Sequence, residues 1–274
     1  IYLNSGGLTT VPMTLGPRQG VFVVFRQGGD RQSHVRKLTA IDGEILFPSE
    51  TGDFSRALPE AYRGADGEIH LRSLEAGSYV LGYSDVLSSR VDIDAPAKLV
   101  LDGTVGTMTF EDEPMLGTVN IGGFRNLTGA LDPMVKHYSG VITYRTQAVI
   151  PEGFIKPGRR VLISIPAFGS TARLTVNGHT LETIWDPYLK ADITEYVRSG
   201  SNELVIVVTN PWRNRLVGDK AGVPSSQKLW TTSPLQQKHI PPQQIIHEYT
   251  LLYPSGISQP VTIYSEGAEK IVVN

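Results

Sequence analysis

The sequence predicts an all-β protein of short strands joined by turns. Three observations carry that prediction. Gly and Pro are plentiful, 28 and 18 of 274 residues, and they punctuate the chain at close intervals. Long amphipathic helical patterns are missing. Between Val176 and His179 stands Asn177-Gly178, a dipeptide suited to a type I′ hairpin turn because both central residues there need a positive φ.

Taken in order, residues 1–96 read as a small β-rich module, the end of one sandwich plus a linker and further strands. Val11-Pro12-Met13-Thr14-Leu15 is a strand candidate, the Gly and Pro of 16–20 form a turn, and Val21-Phe22-Val23-Val24-Phe25 is the next strand. The polar, Gly-rich stretch 27–34 is a linker. Alternation resumes over 35–41 and 45–47, a polar loop fills 48–66, and strands follow at 69–71, 77–83 and 89–93. Residues 75–79 have the form of a hairpin entry. Asp94-Ala95-Pro96 marks a boundary.

Residues 97–274 read as a second, larger β-sandwich. Strands are expected at 99–101, 107–110, 141–148, 160–165 and 173–176, spaced as in a sandwich. Glu111-Asp112-Glu113-Pro114 is an acidic turn, and Asn126-Leu127-Thr128 matches a glycosylation sequon. Asp192 is placed to cap a helix or helical turn over 193–197, with Glu195 set for a capping box. The run Leu204-Val205-Ile206-Val207-Val208 suits a strand covered on both faces. Residues 211–244 predict a long loop, which in a compact domain usually has a job or packs on a neighbour. Residues 245–249 fit a strand or a short helix, and strands at 261–264 and 271–273 close the chain.

Bulk properties exclude several function classes. The net charge is −2 and no basic stripe is present, which argues against a nucleic-acid partner. No apolar run of about 18 residues exists to span a membrane as a helix. Cysteine is absent, so there are no disulfides or thiolate metal sites. The chain begins with Ile1 rather than Met, and this apolar, strand-like start suggests a piece cut from something longer or a chain whose signal peptide has been removed.

A set of motifs in the second half carries a resemblance. Val176-Asn177-Gly178, Trp185, Ala191-Asp192-Ile193-Thr194, Gly200-Ser201-Asn202-Glu203-Leu204 and Thr209-Asn210 follow one another as in the galactose-binding-like jelly roll, the sugar-binding-type β-sandwich of family 2 glycoside hydrolases and of family 106 α-L-rhamnosidases. Tyr138-Ser139-Gly140-Val141-Ile142-Thr143-Tyr144, Trp212-Arg213-Asn214-Arg215-Leu216-Val217-Gly218-Asp219 and Leu252-Tyr253-Pro254-Ser255-Gly256-Ile257 sharpen the likeness toward the rhamnosidase group. It covers about residues 97–265. The resemblance implies a small β-sandwich module followed by a galactose-binding-like jelly roll, a non-catalytic accessory part of a glycoside hydrolase, the catalytic domain of the parent enzyme as partner, and a secreted or periplasmic location.

Catalytic chemistry is not legible in the residues. A glycosidase needs two carboxylates about 5–10 Å apart, which in the resembled families lie on a barrel, and no βα repeat is visible here. Asp192 reads as a cap and Asp219, near Arg213 and Arg215, as an ion pair or loop anchor. The six histidines lack metal-ligand spacing, and there is no nucleophile elbow or phosphate loop. No cofactor is expected. Asp92, Asp94, Asp102 and residues 111–113 leave room for a structural calcium ion.

Sugar binding is the remaining chemistry. Aromatic faces cover the C–H face of a pyranose, and planar polar groups take its hydroxyls. Trp185, Tyr188, Trp212, Asn214, Arg215 and Trp230 fall in predicted loops and are the carbohydrate-binding candidates. The plainer alternative has Trp185 capping the core and Trp212 and Trp230 pinning the long loop or facing another domain. A free-standing carbohydrate-binding module and a structural interaction domain are the competing functional readings.

Overall fold

The computed structural model describes residues 1–15, 20–24, 34–52, 58–64, 66–83, 87–166, 169–227 and 246–271. The fold is all-β, as predicted. In chain order the strands are β1 (Leu3–Ser5), β2 (Leu8–Thr10), β3 (Lys37–Ala40), β4 (Ile45–Phe47), β5 (Glu60–Arg63), β6 (Ile69–Ser73), β7 (Gly77–Gly82), β8 (Ser88–Ile93), β9 (Ala97–Leu101), β10 (Val105–Phe110), β11 (Thr118–Gly122), β12 (Gly140–Ile150), β13 (Val161–Ser164), β14 (Thr171–Val176), β15 (His179–Ile184), β16 (Lys190–Asp192), β17 (Gly200–Asn210), β18 (Val261–Ser265) and β19 (Gly267–Lys270). Among the described residues two α-helices, α1 (Pro133–Lys136) and α2 (Arg213–Lys220), and a 3-10 turn at Leu127–Gly129 interrupt them.

The chain divides into two units. The first holds Ile1–Lys98, Ile155–Val161 and Tyr264–Asn274; the second holds Leu99–Phe154 and Leu162–Ile263. Two later segments thus group with the first unit.

In the first unit β1 and β2 form a hairpin, β4-β3-β7-β8 make a four-stranded sheet, and β19-β6-β5 make a three-stranded one. Leu38, Phe47, Leu71, Tyr79, Leu81 and Ile93 centre its core. Burial alternates strictly along β8, where Ser89, Val91 and Ile93 face inward, as a one-sided strand requires. Residues 75–79 lead into the β7–β8 hairpin, as expected, with Gly77 opposite Ile93 and Gly82 opposite Ser88; β6, just before them, belongs to the other sheet. Strand β5 lies inside the expected loop 48–66. Its pairing is held by charge rather than apolar alternation: Arg72 donates to both carboxylate oxygens of Glu60 at 2.8 and 2.6 Å and lies 4.2 Å over the Tyr62 ring. The expected strands at 11–15 and 21–25 are not found. Residues 11–15 and 21–24 have no ladder partner, Pro12 offers no N–H to one, and Phe22 is fully exposed. Phe25 and linker residues 27–33 lie outside the described residues.

The second unit carries a six-stranded sheet, β11-β10-β12-β17-β14-β15, and a four-stranded sheet, β16-β13-β18-β9, in which β9, β13 and β18 begin or end in residues grouped with the first unit. Its spine is the antiparallel pair β12–β17, in register for eleven residues from Gly140↔Asn210 to Ile150↔Gly200. Leu204, Ile206 and Val208 are fully buried, whereas Val205 and Val207 stay half-buried. The strand is therefore one-sided with a partly sheltered second face, not equally covered on both. The hairpin forms as expected: Asn177 has φ 48° and Gly178 φ 86°, with Val176 opposite His179. Asp192 Oδ1 accepts the Thr194 N–H at 3.0 Å and caps a single helical turn closed by the Val197 N–H on Ile193 O at 3.2 Å. Of the expected strand or short helix at 245–249, residue 245 lies outside the described residues, and 247–250 form a turn closed by the Thr250 N–H on the His247 carbonyl. At the C-terminus the strand is β19, ahead of the expected 271–273; Ile271 itself is outside any strand, and 272–274 are not described.

Candidate functional site

The long loop expected from residue 211 instead opens with α2. Trp212 sits at its N-cap and provides no side-chain cap. The capping is done from elsewhere in the chain: the Arg215 N–H donates to Ser139 Oγ at 3.0 Å, which satisfies one of the helix's orphan donors. This is why a sequence without a Ser, Asp or Asn at the cap still starts a helix here.

The two polar candidates of this stretch are buried supports. Asn214, 2% exposed, clasps the backbone of Tyr253, donating from Nδ2 to its carbonyl at 2.8 Å and accepting its N–H at Oδ1 at 2.9 Å. Arg215, 1% exposed, donates from Nε to Asp219 Oδ1 at 2.9 Å and from Nη2 to the Val223 carbonyl at 2.8 Å. Asp219 is thereby the ion-pair partner expected of it. Neither Asn214 nor Arg215 presents its polar atoms to solvent.

Around this support lies an exposed surface. Trp212 and Tyr253 are each about half exposed, and Tyr249 and Leu251 are largely so. Between Trp212 and Asn214 comes Arg213, whose guanidinium carbon stands 4.2 Å from the Tyr253 ring centroid. Its Nε donates to the Leu251 carbonyl at 3.0 Å. His247 stacks on Tyr249 at 4.9 Å. Arg213, Tyr249, Leu251 and Tyr253 were not sequence candidates. The signal was there in part, since Arg213 and Tyr253 both fall within the motif stretches, but their juxtaposition depends on the Asn214–Tyr253 clasp, which spans 39 residues.

The other aromatic candidates lie on the loop between β15 and β16. Trp185 and Tyr188 are exposed, while Asp186 between them is buried. Asp186 Oδ1 accepts the Tyr188 N–H at 2.9 Å, and the Leu189 N–H bonds the Asp186 carbonyl, so Pro187 sits in a tight turn. Oδ2 has no hydrogen-bond partner. No ring contact or hydrogen bond among the described residues joins this loop to the α2 surface. Trp230 lies outside the described residues.

The acidic turn is a structural fastener. Glu113, 2% exposed, accepts the Ser225 hydroxyl and the Ser226 N–H, each at 2.7 Å, together with the Ser226 hydroxyl. Burial alone would raise its pKa, but the Ser226 and Ser225 hydroxyls and the N–H groups of Ser226 and Met115 together outweigh it and hold the carboxyl below its ordinary value. Asp112 Oδ2 accepts the Val141 N–H at 2.8 Å. Of the other calcium candidates, Asp92 pairs with Arg90 and Asp94 with Arg159, and among the described residues no three His, Asp or Glu side chains gather as metal ligands. The sequon Asn126 is engaged too, accepting the N–H groups of Thr128 and Ser255. No helix among the described residues is long and apolar enough to cross a membrane.

No family model matches the chain. In sequence it is similar to a Formosa agariphila protein named "Putative beta-glucuronidase", 25% identical over 125 residues, or 46% of this chain and 11% of that protein. In fold it is similar to part of a rhamnosidase from Novosphingobium sp. PP1Y, with TM-score 0.51 and 21% identity over 77% of this chain and 24% of that one. A Ruminococcus gnavus β-glucuronidase aligns over 62% of this chain and 28% of its own, with TM-score 0.43 and 13% identity. The chain spans about a quarter of the solved rhamnosidase and about a tenth of the Formosa protein. Its relatives in sequence and fold are thus glycoside hydrolases, each much longer than the part it matches.

Proposed function

We propose that this chain is the non-catalytic accessory β-sandwich portion of a rhamnosidase-like glycoside hydrolase, akin to the C-terminal jelly-roll region of family 106 enzymes. In that role it supports the parent enzyme's catalytic domain and contacts glycan. The observation that carries the reading is where its carboxylates go. Asp112, Glu113, Asp192 and Asp219 each accept hydrogen bonds that fix turns, loop ends or the α2 helix. The fold likeness to one quarter of a rhamnosidase supports it.

A second reading, a free-standing carbohydrate-binding module, is favoured by the exposed Trp185, Tyr188 and Trp212. The deciding experiment assays the chain on aryl α-L-rhamnosides and other aryl glycosides. The accessory reading expects no turnover; turnover that a single carboxylate-to-amide substitution abolishes would overturn it.

A further inference from the structure

We propose that the head of α2 is a binding site for a carboxylate-bearing sugar, with Arg213, stacked against Tyr253, as the carboxylate receptor and the exposed Trp212 next to it in the chain. The proposal rests on the glycan-contact part of the reading above and names both the place and the class of sugar.

Arg213 is held at three points. Its backbone belongs to α2, its guanidinium carbon stands 4.2 Å over the Tyr253 ring centroid, and its Nε is committed to the Leu251 carbonyl at 3.0 Å. Those contacts use one of the five guanidinium N–H groups. Nη1 and Nη2, the end of the fork, have no partner among the described residues. An end-on fork with fixed orientation fits a carboxylate through two parallel N–H···O bonds, and a stacked, Nε-anchored arginine has already lost much of the freedom such binding costs. The contrast with Arg215, two residues on, is direct. Arg215 is buried and its Asp219 partner neutralises it, whereas no carboxylate of the described residues faces Arg213.

The neighbours fit a pyranose. Tyr253, under the Arg213 guanidinium, and Trp212, next in sequence to Arg213, are each about half exposed, so apolar faces are available for the C–H side of the ring. Asn214 fixes the Tyr253 backbone from both directions and so sets the aromatic against the arginine before any ligand arrives, which lowers the ordering cost of binding. A neutral sugar would use the aromatics and leave the fork unmatched. A uronic acid residue would use both.

The test titrates the chain with polygalacturonate and, in parallel, with an uncharged galactan. Thermal melts check the fold of every variant. Binding to polygalacturonate is expected, weakening as salt rises. Arg213→Gln should weaken it about 10-fold to 100-fold, the range for hydrogen bonds to a charged group. Arg213→Lys keeps the charge but not the fork and should recover only part of the loss. Lys220→Gln, an exposed cation at the far end of α2, should leave binding unchanged. Equal effects of Arg213→Gln and Lys220→Gln would reduce the affinity to bulk charge and overturn the site. Equal binding of galactan and polygalacturonate would overturn the carboxylate assignment while leaving glycan contact standing. Binding to neither would remove the site and the glycan contact together, and the accessory reading would then rest on the turnover assay alone.

Discussion

Asn177 and Asn202 are joined side chain to side chain, Asn177 Nδ2 donating to Asn202 Oδ1 at 2.8 Å. The bond ties the β14–β15 turn to the start of β17. Asn202 is fully buried and spends its remaining capacity on the backbone of Arg198 and Gly200, donating to both carbonyls and accepting the Arg198 N–H. One side chain therefore satisfies the loop that leads into the central strand. Asn202→Ala would strand several buried polar groups at once. Urea unfolding should show a loss of about 2–4 kcal/mol. A loss below about 1 kcal/mol would mean that water replaces these bonds readily.

The Arg215–Asp219 pair is lopsided, and its two halves should respond differently. The arginine side chain is 2% exposed and the aspartate side chain 42%. Asp219→Asn leaves Arg215 its bond to the Val223 carbonyl and should cost about 1 kcal/mol. Arg215→Ala removes a buried side chain, opens a cavity and frees that carbonyl, and should cost about 2–4 kcal/mol. Paired urea melts of the two variants give the comparison.

Acid should loosen the Glu113 fastener. Its folded-state pKa is lowered from the ordinary value of 4.5, so the unfolded chain takes up the proton first on acidification. The stabilisation is complete above that ordinary value and disappears as pH falls through the lower folded value. In the Glu113→Gln variant this part of the acid dependence should vanish, while Glu60, whose pKa the hydrogen bond from Arg72 also lowers, keeps its own. Urea midpoints from pH 7 to pH 3 measure both.

Gly256 and Tyr144 make a pair of opposite expectations. Gly256 has φ 74°, and an added Cβ would stand 2.5 Å from the Tyr144 hydroxyl and 3.0 Å from Leu127 Cγ. Gly256→Ala combines backbone strain with overpacking and should cost about 2–5 kcal/mol. The Tyr144 hydroxyl is buried without a hydrogen bond of good geometry, the Ile257 N–H being the one donor directed toward it, so Tyr144→Phe should stay within about 1 kcal/mol of the parent. The double variant would show whether removing the hydroxyl relieves the alanine.

The second unit was the more legible half of the chain because local rules govern it. Asn177-Gly178 set a turn, Asp192 capped one, and a Val-rich run became the central strand. Strand β5 escaped notice because a Glu60–Arg72 pair and an arginine over Tyr62 hold it, and neither leaves an apolar alternation. Helix α2 escaped because its cap, Ser139, lies 76 residues from the N–H that it satisfies. Residues 21–24 misled in the other direction, since composition alone cannot show whether a neighbouring strand exists to pair with them. At the site the same limit applied. Asn214 and Arg215 had the right chemistry for a ligand, but burial turned it to contacts within the protein, and the guanidinium whose Nη groups have no partner among the described residues belongs to the half-buried Arg213 next to them.

Strand β19 pairs with β6 from Gly267↔Ser73 to Lys270↔His70, closing a long loop that holds most of the second unit, and Arg160 grips Glu266 just before it at 2.7 and 2.8 Å. Such an arrangement is an insertion rather than a tandem join. Severing the polypeptide at residue 97 would not release two self-sufficient modules; the leading piece would lack one rail of its three-stranded sheet. Recombination that moved the larger sandwich between proteins would have to cut on both sides of it, or carry both segments together.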